Sequence, residues 1–206
     1  MCYYVSLLSE AQELEEHFDA TYKGAPFHKE YRISGFSHPF LPVLLDEEPS
    51  EITLAQWGLV PSWAKNRDFQ KGTLNARIET LDTTPSYRDS VNKRCAVLVN
   101  GFFEWQWLDE KGKKKQPFKI GIPQQPLMAL GALYNEWKDP QDGKLYTTFS
   151  IVTTEANALM ETIHNTKKRM PLVLDNPTLY RWLDDTSFEE FSFPNWDPKL
   201  VAEPVE

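Results

Sequence analysis

Arg94-Cys95-Ala96-Val97-Leu98-Val99-Asn100-Gly101-Phe102-Phe103-Glu104-Trp105-Gln106-Trp107 is the strongest strand signal in the chain. Four aliphatic residues followed by a run of aromatics suit a pleated, half-buried surface. Asp109-Glu110-Lys111-Gly112 supplies a hairpin turn, and Phe118 to Ile122 reads as the returning strand. Leu127 to Trp137 and Tyr146 to Thr153 read as a second hairpin around Asp139-Pro140-Gln141-Asp142-Gly143. Asn157 to His164 reads as a short helix and Met170 to Leu174 as another strand. Asn176-Pro177 caps a helix through Leu183, with proline in its first turn. Towards the N-terminus, residues 2–8 read as a short strand. Ser9-Glu10-Ala11-Gln12 resembles a capping box that opens a helix through about Phe18. Prolines punctuate residues 31–61 into short strands and loops, and the proline-rich tail after Phe193 is expected to wrap the surface. The pattern predicts one α+β domain over residues 1–206. It is mainly β, with a barrel-like antiparallel core and a few short helices.

Composition narrows the function classes. At 206 residues the chain can bury a sizeable core. Two cysteines, Cys2 and Cys95, provide neither a disulfide framework nor a zinc cluster, and no metal or cofactor is expected. No long apolar run predicts a membrane span or signal peptide, so a cytoplasmic protein is expected. A net charge of −8 argues against a protein that coats nucleic acid generally, but it leaves room for a narrow basic groove. Lys111, Lys113, Lys114 and Lys115 form one local basic cluster, and Lys167, Lys168 and Arg169 another.

Cys2 follows the initiator Met1, and cytosolic processing usually removes methionine ahead of a small side chain. The mature chain would then carry an α-amine and a thiol on one residue. Such a 1,2-aminothiol can close a thiazolidine ring on an aldehyde, or act as an N-terminal nucleophile with its amine as base. The competing reading is a buried strand cysteine behaving as a small hydrophobe. Cys95, inside an apolar strand, reads as inert core.

Four further segments carry candidate chemistry. In Trp57-Gly58-Leu59-Val60-Pro61-Ser62-Trp63, two tryptophans around Gly and Pro suggest an aromatic loop able to stack on bases, or alternatively core packing. In Asn75-Ala76-Arg77, an extended backbone puts an amide and a phosphate-reading fork on one face; the alternative is a polar edge strand. Glu104, amid aromatics, would have a raised pKa if buried, suiting proton transfer; alternation equally allows it to point into water. His164, ahead of Lys167, Lys168 and Arg169, suits a proton donor beside a phosphate site, or a surface histidine before a solvated loop.

Taken in order, Met-Cys, Trp-Gly-Leu-Val-Pro-x-Trp, Asn-Ala-Arg-x-Glu-Thr, Arg-Cys followed by Gly-Phe-x-Glu-Trp, and His followed by Arg-Met-Pro resemble the SOS-response-associated peptidase (SRAP) family of abasic-site DNA–protein crosslinking proteins. The resemblance covers nearly the whole chain. It implies a mainly-β fold, binding to single-stranded DNA containing abasic sites, and a covalent link from the N-terminal cysteine. By that resemblance Cys2 is the nucleophile, Asn75 and Glu104 assist it, and His164 is the other catalytic group. Arg77 and Arg169 would hold phosphates, with Trp63 and Trp105 as aromatic DNA contacts. Two departures stand out: Tyr3-Tyr4 replaces the family's usual Gly-Arg after the cysteine, and four residues separate His164 from Arg169 where one is common. The expected role of His164 is to donate a proton to the sugar ring oxygen. No obligate protein partner is expected, and a monomer is. An amide hydrolase acting on a small molecule and a non-catalytic module binding single strands are the competing functions. Only the crosslinker predicts a heat-resistant adduct with abasic DNA.

Overall fold

The stretch that reads as one strand divides at Asn100 in the computed structural model, which describes residues 1–184 and 186–206. Among the described residues the first strands are β1 (Tyr4–Leu7), β2 (Thr21–Tyr22), β3 (Glu30–Ser34), β4 (Phe40–Leu45) and β5 (Glu48–Trp57). Next come β6 (Asn75–Arg77), β7 (Arg94–Val99), β8 (Gly101–Trp107), β9 (Lys115–Gly121), β10 (Met128–Lys138) and β11 (Leu145–Glu155). The last are β12 (Arg169–Pro171), β13 (Val173–Leu174) and β14 (Val201–Pro204). Three α-helices accompany them: α1 (Ala11–Phe18), α2 (Ala158–Ile163) and α3 (Asn176–Leu183).

Strands β5, β4, β7, β10 and β11 pair in that order, each antiparallel to the next. β11 returns to β5 in parallel through Thr148↔Gln56 and Phe149↔Trp57, which closes the ring. The expected barrel-like core is therefore present. Alternation sorts most buried side chains of these strands into two large clusters. Leu44, Ile52, Ala96, Leu98 and Leu133 pack with Leu14 and Phe18 of α1 and with Leu179 and Trp182 of α3. Leu41, Val43, Trp57, Cys95, Val97 and Phe149 form the other cluster, which continues into Cys2, Val5 and Phe102. Cys95 is core, as expected.

A second sheet runs β14-β9-β8-β1-β3. The step from the barrel into this sheet is made at Asn100 and Gly101. Asn100 Oδ1 accepts hydrogen bonds from the amides of Leu8 (2.6 Å) and Ser9 (3.1 Å), while its Nδ2 donates to the Pro126 carbonyl at 2.8 Å. Gly101 has φ +149°, and a Cβ there would sit 2.8 Å from the Ile120 carbonyl oxygen. Only glycine meets both demands comfortably. One strand signal thus becomes two strands in two sheets.

Both hairpins form as read. β8 pairs with β9 from Phe102↔Ile120 to Trp107↔Lys115, and β10 with β11 from Ala132↔Ile151 to Lys138↔Leu145. The first helix starts a residue later than its reading: Glu10 is the N-cap, and the Glu13 carboxylate accepts from the Glu10 amide at 2.7 Å. In α3 the cap is Asp175, whose carboxylate accepts from the Thr178 amide at 3.0 Å. The tail does more than wrap the surface, since β14 adds an edge strand to β9.

Candidate active site

The β1–β8 pairing decides what lies beside the N-terminus. Tyr4 is opposite Phe103 and Val5 opposite Phe102, so the residues ahead of Tyr4 run alongside Glu104. Glu104 is buried, its position 5 % exposed, which excludes the reading that points it into water. Its Oε1 lies 3.0 Å from the Met1 ammonium. Burial raises the Glu104 pKa above the ordinary carboxylate value, and the ammonium partly offsets that rise. Cys2 is wholly buried, with Sγ 3.8 Å from the Tyr4 carbonyl oxygen. Burial, and then the Glu104 charge, push its thiol pKa far up, so this thiol carries its proton.

Asn75 reaches the same place from the barrel side. β6 runs parallel to β11, with Asn75 opposite Ile151. Asn75 Nδ2 donates to the Cys2 carbonyl at 2.9 Å, and the Tyr87 hydroxyl donates to the Asn75 carbonyl at 3.0 Å. The first bond orients the amide, which leaves Oδ1 buried without a hydrogen-bond partner among the described residues. An unused buried acceptor beside an N-terminal residue fits an incoming N–H donor.

His164 ends α2, its amide donating to the Met160 carbonyl at 2.7 Å. Nδ1 lies 2.7 Å from the Arg169 carbonyl oxygen and 3.3 Å from the Arg169 amide nitrogen, and the Met1 amine is 3.2 Å from Nδ1 and 3.3 Å from Nε2. Burial, the adjacent ammonium, Lys167 and Arg169 together lower the His164 pKa to about 4. The imidazole is therefore uncharged at neutral pH. To act as the expected proton donor, an uncharged imidazole first takes up the proton that it gives. Asn165 ties the following loop to β8, its Oδ1 accepting from the Trp107 amide (3.1 Å) and its Nδ2 donating to the Trp107 carbonyl (2.9 Å). The long spacer between His164 and Arg169 is thus anchored at its first residue.

Arg169 does not present a free fork. It is buried, its Nη1 and Nη2 pair with the two Glu79 oxygens at 2.7 and 2.9 Å, and Nη2 also donates to the Thr153 carbonyl at 2.7 Å. A buried guanidinium whose two terminal nitrogens are committed this way holds structure, and the expectation of a phosphate contact is corrected accordingly. Arg169 joins the Asn-Ala-Arg-x-Glu-Thr motif to Arg-Met-Pro, and its carbonyl aims His164. Arg77, by contrast, is exposed on β6 and forms no ion pair with a described residue.

The two aromatic expectations separate. Trp57 is wholly buried, with Nε1–H donating to the Leu74 carbonyl at 2.9 Å, so it is core. Trp63 is 49 % exposed and set edge-on to Phe69. Trp105 is half-buried and edge-on to Tyr4, with ring centres 5.1 Å apart.

An open cleft of about 350 Å³ gathers Met1, Glu104, Trp105 and His164. It is also lined by Lys167, read as part of the phosphate-attracting run after His164, and by Tyr3, Tyr4, Trp107, Lys115 and Thr166, which sequence reasoning did not select as site residues. Two signals could have found them. Period-two alternation puts Trp107 on the face of Trp105, and the hairpin register sets Lys115 opposite Trp107. Trp63 and Arg77 do not line this cleft, and the described residues contain no cluster suited to a metal ion.

Fold and site together define a mainly-β domain that brings its own N-terminus into a cleft between a buried carboxylate and an uncharged imidazole. The chain belongs to the SRAP family: the family described as SOS response associated peptidase matches residues 1–205. It is 35% identical over 187 residues to the abasic site processing protein YoqW of Bacillus subtilis, covering 89% of this chain and 80% of that protein. It is 32% identical over 197 residues to the abasic site processing protein HMCES of Xenopus tropicalis, covering 80% of this chain and 56% of that one. A crystal structure of a Bacteroides thetaiotaomicron protein matches with a TM-score of 0.88 at 28% identity, over 100% of this chain and 92% of that one.

Proposed function

We propose that this protein processes abasic sites in single-stranded DNA, linking its N-terminal cysteine covalently to the opened deoxyribose. The observation that carries this reading is an open cleft that brings the start of the chain to Glu104 and His164, with the Met1 nitrogen 3.0 Å from Glu104 Oε1 and 3.3 Å from His164 Nε2. Family membership and the names of the relatives point the same way. Loss of Met1, by an aminopeptidase or by the chain itself, would give Cys2 the free amine. The unused Asn75 Oδ1 is an acceptor suited to hold it.

An abasic sugar is mostly a closed hemiacetal. In this proposal the neutral His164 takes the anomeric hydroxyl proton at Nε2 and returns it to the ring oxygen as the ring opens. Glu104 takes a proton from the Cys2 ammonium, whose reference pKa is ~7.7–8.0, and the amine adds to the aldehyde. Glu104 then protonates the carbinolamine hydroxyl, water leaves, and an iminium forms. The Cys2 sulfur adds to the iminium carbon, its proton passing to the Glu104 carboxylate, and the thiazolidine closes. Amine and thiol share one residue, so ring closure is intramolecular. Removing the imine prevents the β-elimination that would cut the strand. The high thiol pKa suits this order, because the sulfur stays protonated until an electrophile is in place.

Denaturing electrophoresis with an abasic single-stranded oligonucleotide tests the proposal. A heat-stable shifted band is expected, and Cys2→Ala should abolish it. An unaltered heat-stable adduct with Cys2→Ala overturns the reading.

A further inference from the structure

Met1 is a group that the proposed crosslinking reaction does not use, yet its amine lines the cleft. It sits 3.0 Å from Glu104 Oε1 and within 3.3 Å of both His164 ring nitrogens. A primary amine between a buried base and an imidazole, open to solvent, is equipped to form an imine with an aldehyde. What the chain lacks with Met1 attached is the capture step. A ring through the Met1 nitrogen and the Cys2 sulfur would have eight members and contain a planar trans peptide, so it would be strained where a five-membered thiazolidine is not. Cys2 Sγ is also wholly buried and turned to the Tyr4 carbonyl.

We propose that the chain retaining Met1 is a strand-cleaving abasic-site lyase, with the Met1 amine as nucleophile and Glu104 as the base that drives elimination. This rests on the reading that the cleft accepts an abasic aldehyde. Glu104 takes a proton from the Met1 ammonium, and the free amine adds to the aldehyde. Glu104 returns its proton to the carbinolamine hydroxyl, water departs, and an iminium remains. Glu104, a carboxylate again, takes the C2′ proton. The electron pair passes through the enamine and breaks the C3′–O bond, and the 3′-phosphate leaves with the strand end. Water then hydrolyses the conjugated iminium, which restores the Met1 amine and releases the unsaturated aldehyde. No oxidant or reductant is needed. Removal of one residue thus switches the outcome from cutting the strand to capping it.

The test uses full-length chain with Met1 in place, verified by intact mass. It is made by expression with methionine aminopeptidase inhibited, and separately as Cys2→Leu, whose bulky second side chain resists trimming. Each sample is incubated with an abasic single-stranded oligonucleotide, with and without sodium borohydride, beside chain that begins at Cys2. The Met1 form should give a borohydride-trapped adduct and, without borohydride, a shortened strand ending in the unsaturated aldehyde. Acetylating its α-amine should abolish both products, and Glu104→Gln should reduce both by ~10²-fold. If Cys2→Leu does not fold, the inhibited-expression sample decides. Cleavage that survives acetylation overturns the inference, since another amine is then responsible. If the Met1 form neither traps nor cuts while the Cys2 form crosslinks, the inference fails and the proposed function stands. If neither form reacts, both fall.

Discussion

Glu104 and His164 are two buried titratable groups whose environments push them in opposite senses. Burial raises the Glu104 pKa, which makes its carboxylate a better acceptor for an amine's proton. Glu104→Gln should slow crosslinking most near pH 7, where the Cys2 amine still carries a proton. Raising the pH toward 9 should partly rescue the variant, because the amine then loses that proton unaided. Adduct formation against time across pH checks this, and a deficit that does not shrink at pH 9 contradicts the role. His164 makes a stability prediction. Its pKa is about 4 when folded, against a reference of 6.5, so between those values the unfolded chain binds more protons. Its contribution is whole above about pH 6.5 and is lost as the pH falls toward 4. Denaturant titrations should show stability declining through that window, with His164→Gln flattening the decline.

At the scale of elements, the turn from β7 into β8 aims the site, because β8 carries Glu104 and receives β1. Gly101→Ala would place a Cβ 2.8 Å from the Ile120 carbonyl oxygen at φ +149°. Strain at a conformation of that kind costs about 1–3 kcal/mol, so the denaturation midpoint should fall by that equivalent. A midpoint unchanged from the parent would show that the backbone relaxes freely there. This junction also marks where sequence reading stopped short. Both hairpins and the helices were legible from periodicity and turn residues, and Glu104 from its aromatic company. The break at Asn100 is passed over, although Asn100-Gly101 is a turn signal, because the apolar runs on either side of it read as one continuous strand. Arg169 was misread for a related reason: its partner Glu79 is distant in sequence, and composition does not show that a basic run includes one buried strut. His164 is buried against the Arg169 backbone, and that contact has no signature in the sequence.

The whole molecule is acidic, with a net charge of −8, so attraction to a DNA strand has to be local. Arg77 is exposed and without a described ion-pair partner, while Lys115 and Lys167 line the cleft. Arg77→Ala should weaken binding to an abasic-free single strand and reduce the slope of log affinity against log salt by about 0.7. Single-turnover crosslinking at saturating DNA should change little. Filter binding across a salt series measures the first and a time course the second. A large rate loss at unchanged affinity would move Arg77 into the bond-making steps.

The five-stranded ring has one more consequence. Direction can alternate all the way round a closed ring only if the number of strands is even, so an odd ring must contain one mismatched neighbour pair. Here the mismatch falls between β5 and β11, and their contact is brief. Beyond it, the same edge of β11 is taken by β6, also in parallel, from Ile151↔Asn75 to Thr153↔Arg77. The strand that carries Asn75 to the N-terminus therefore occupies a vacancy that parity leaves open. A six-stranded barrel could alternate throughout and would leave no such seam for that strand to fill.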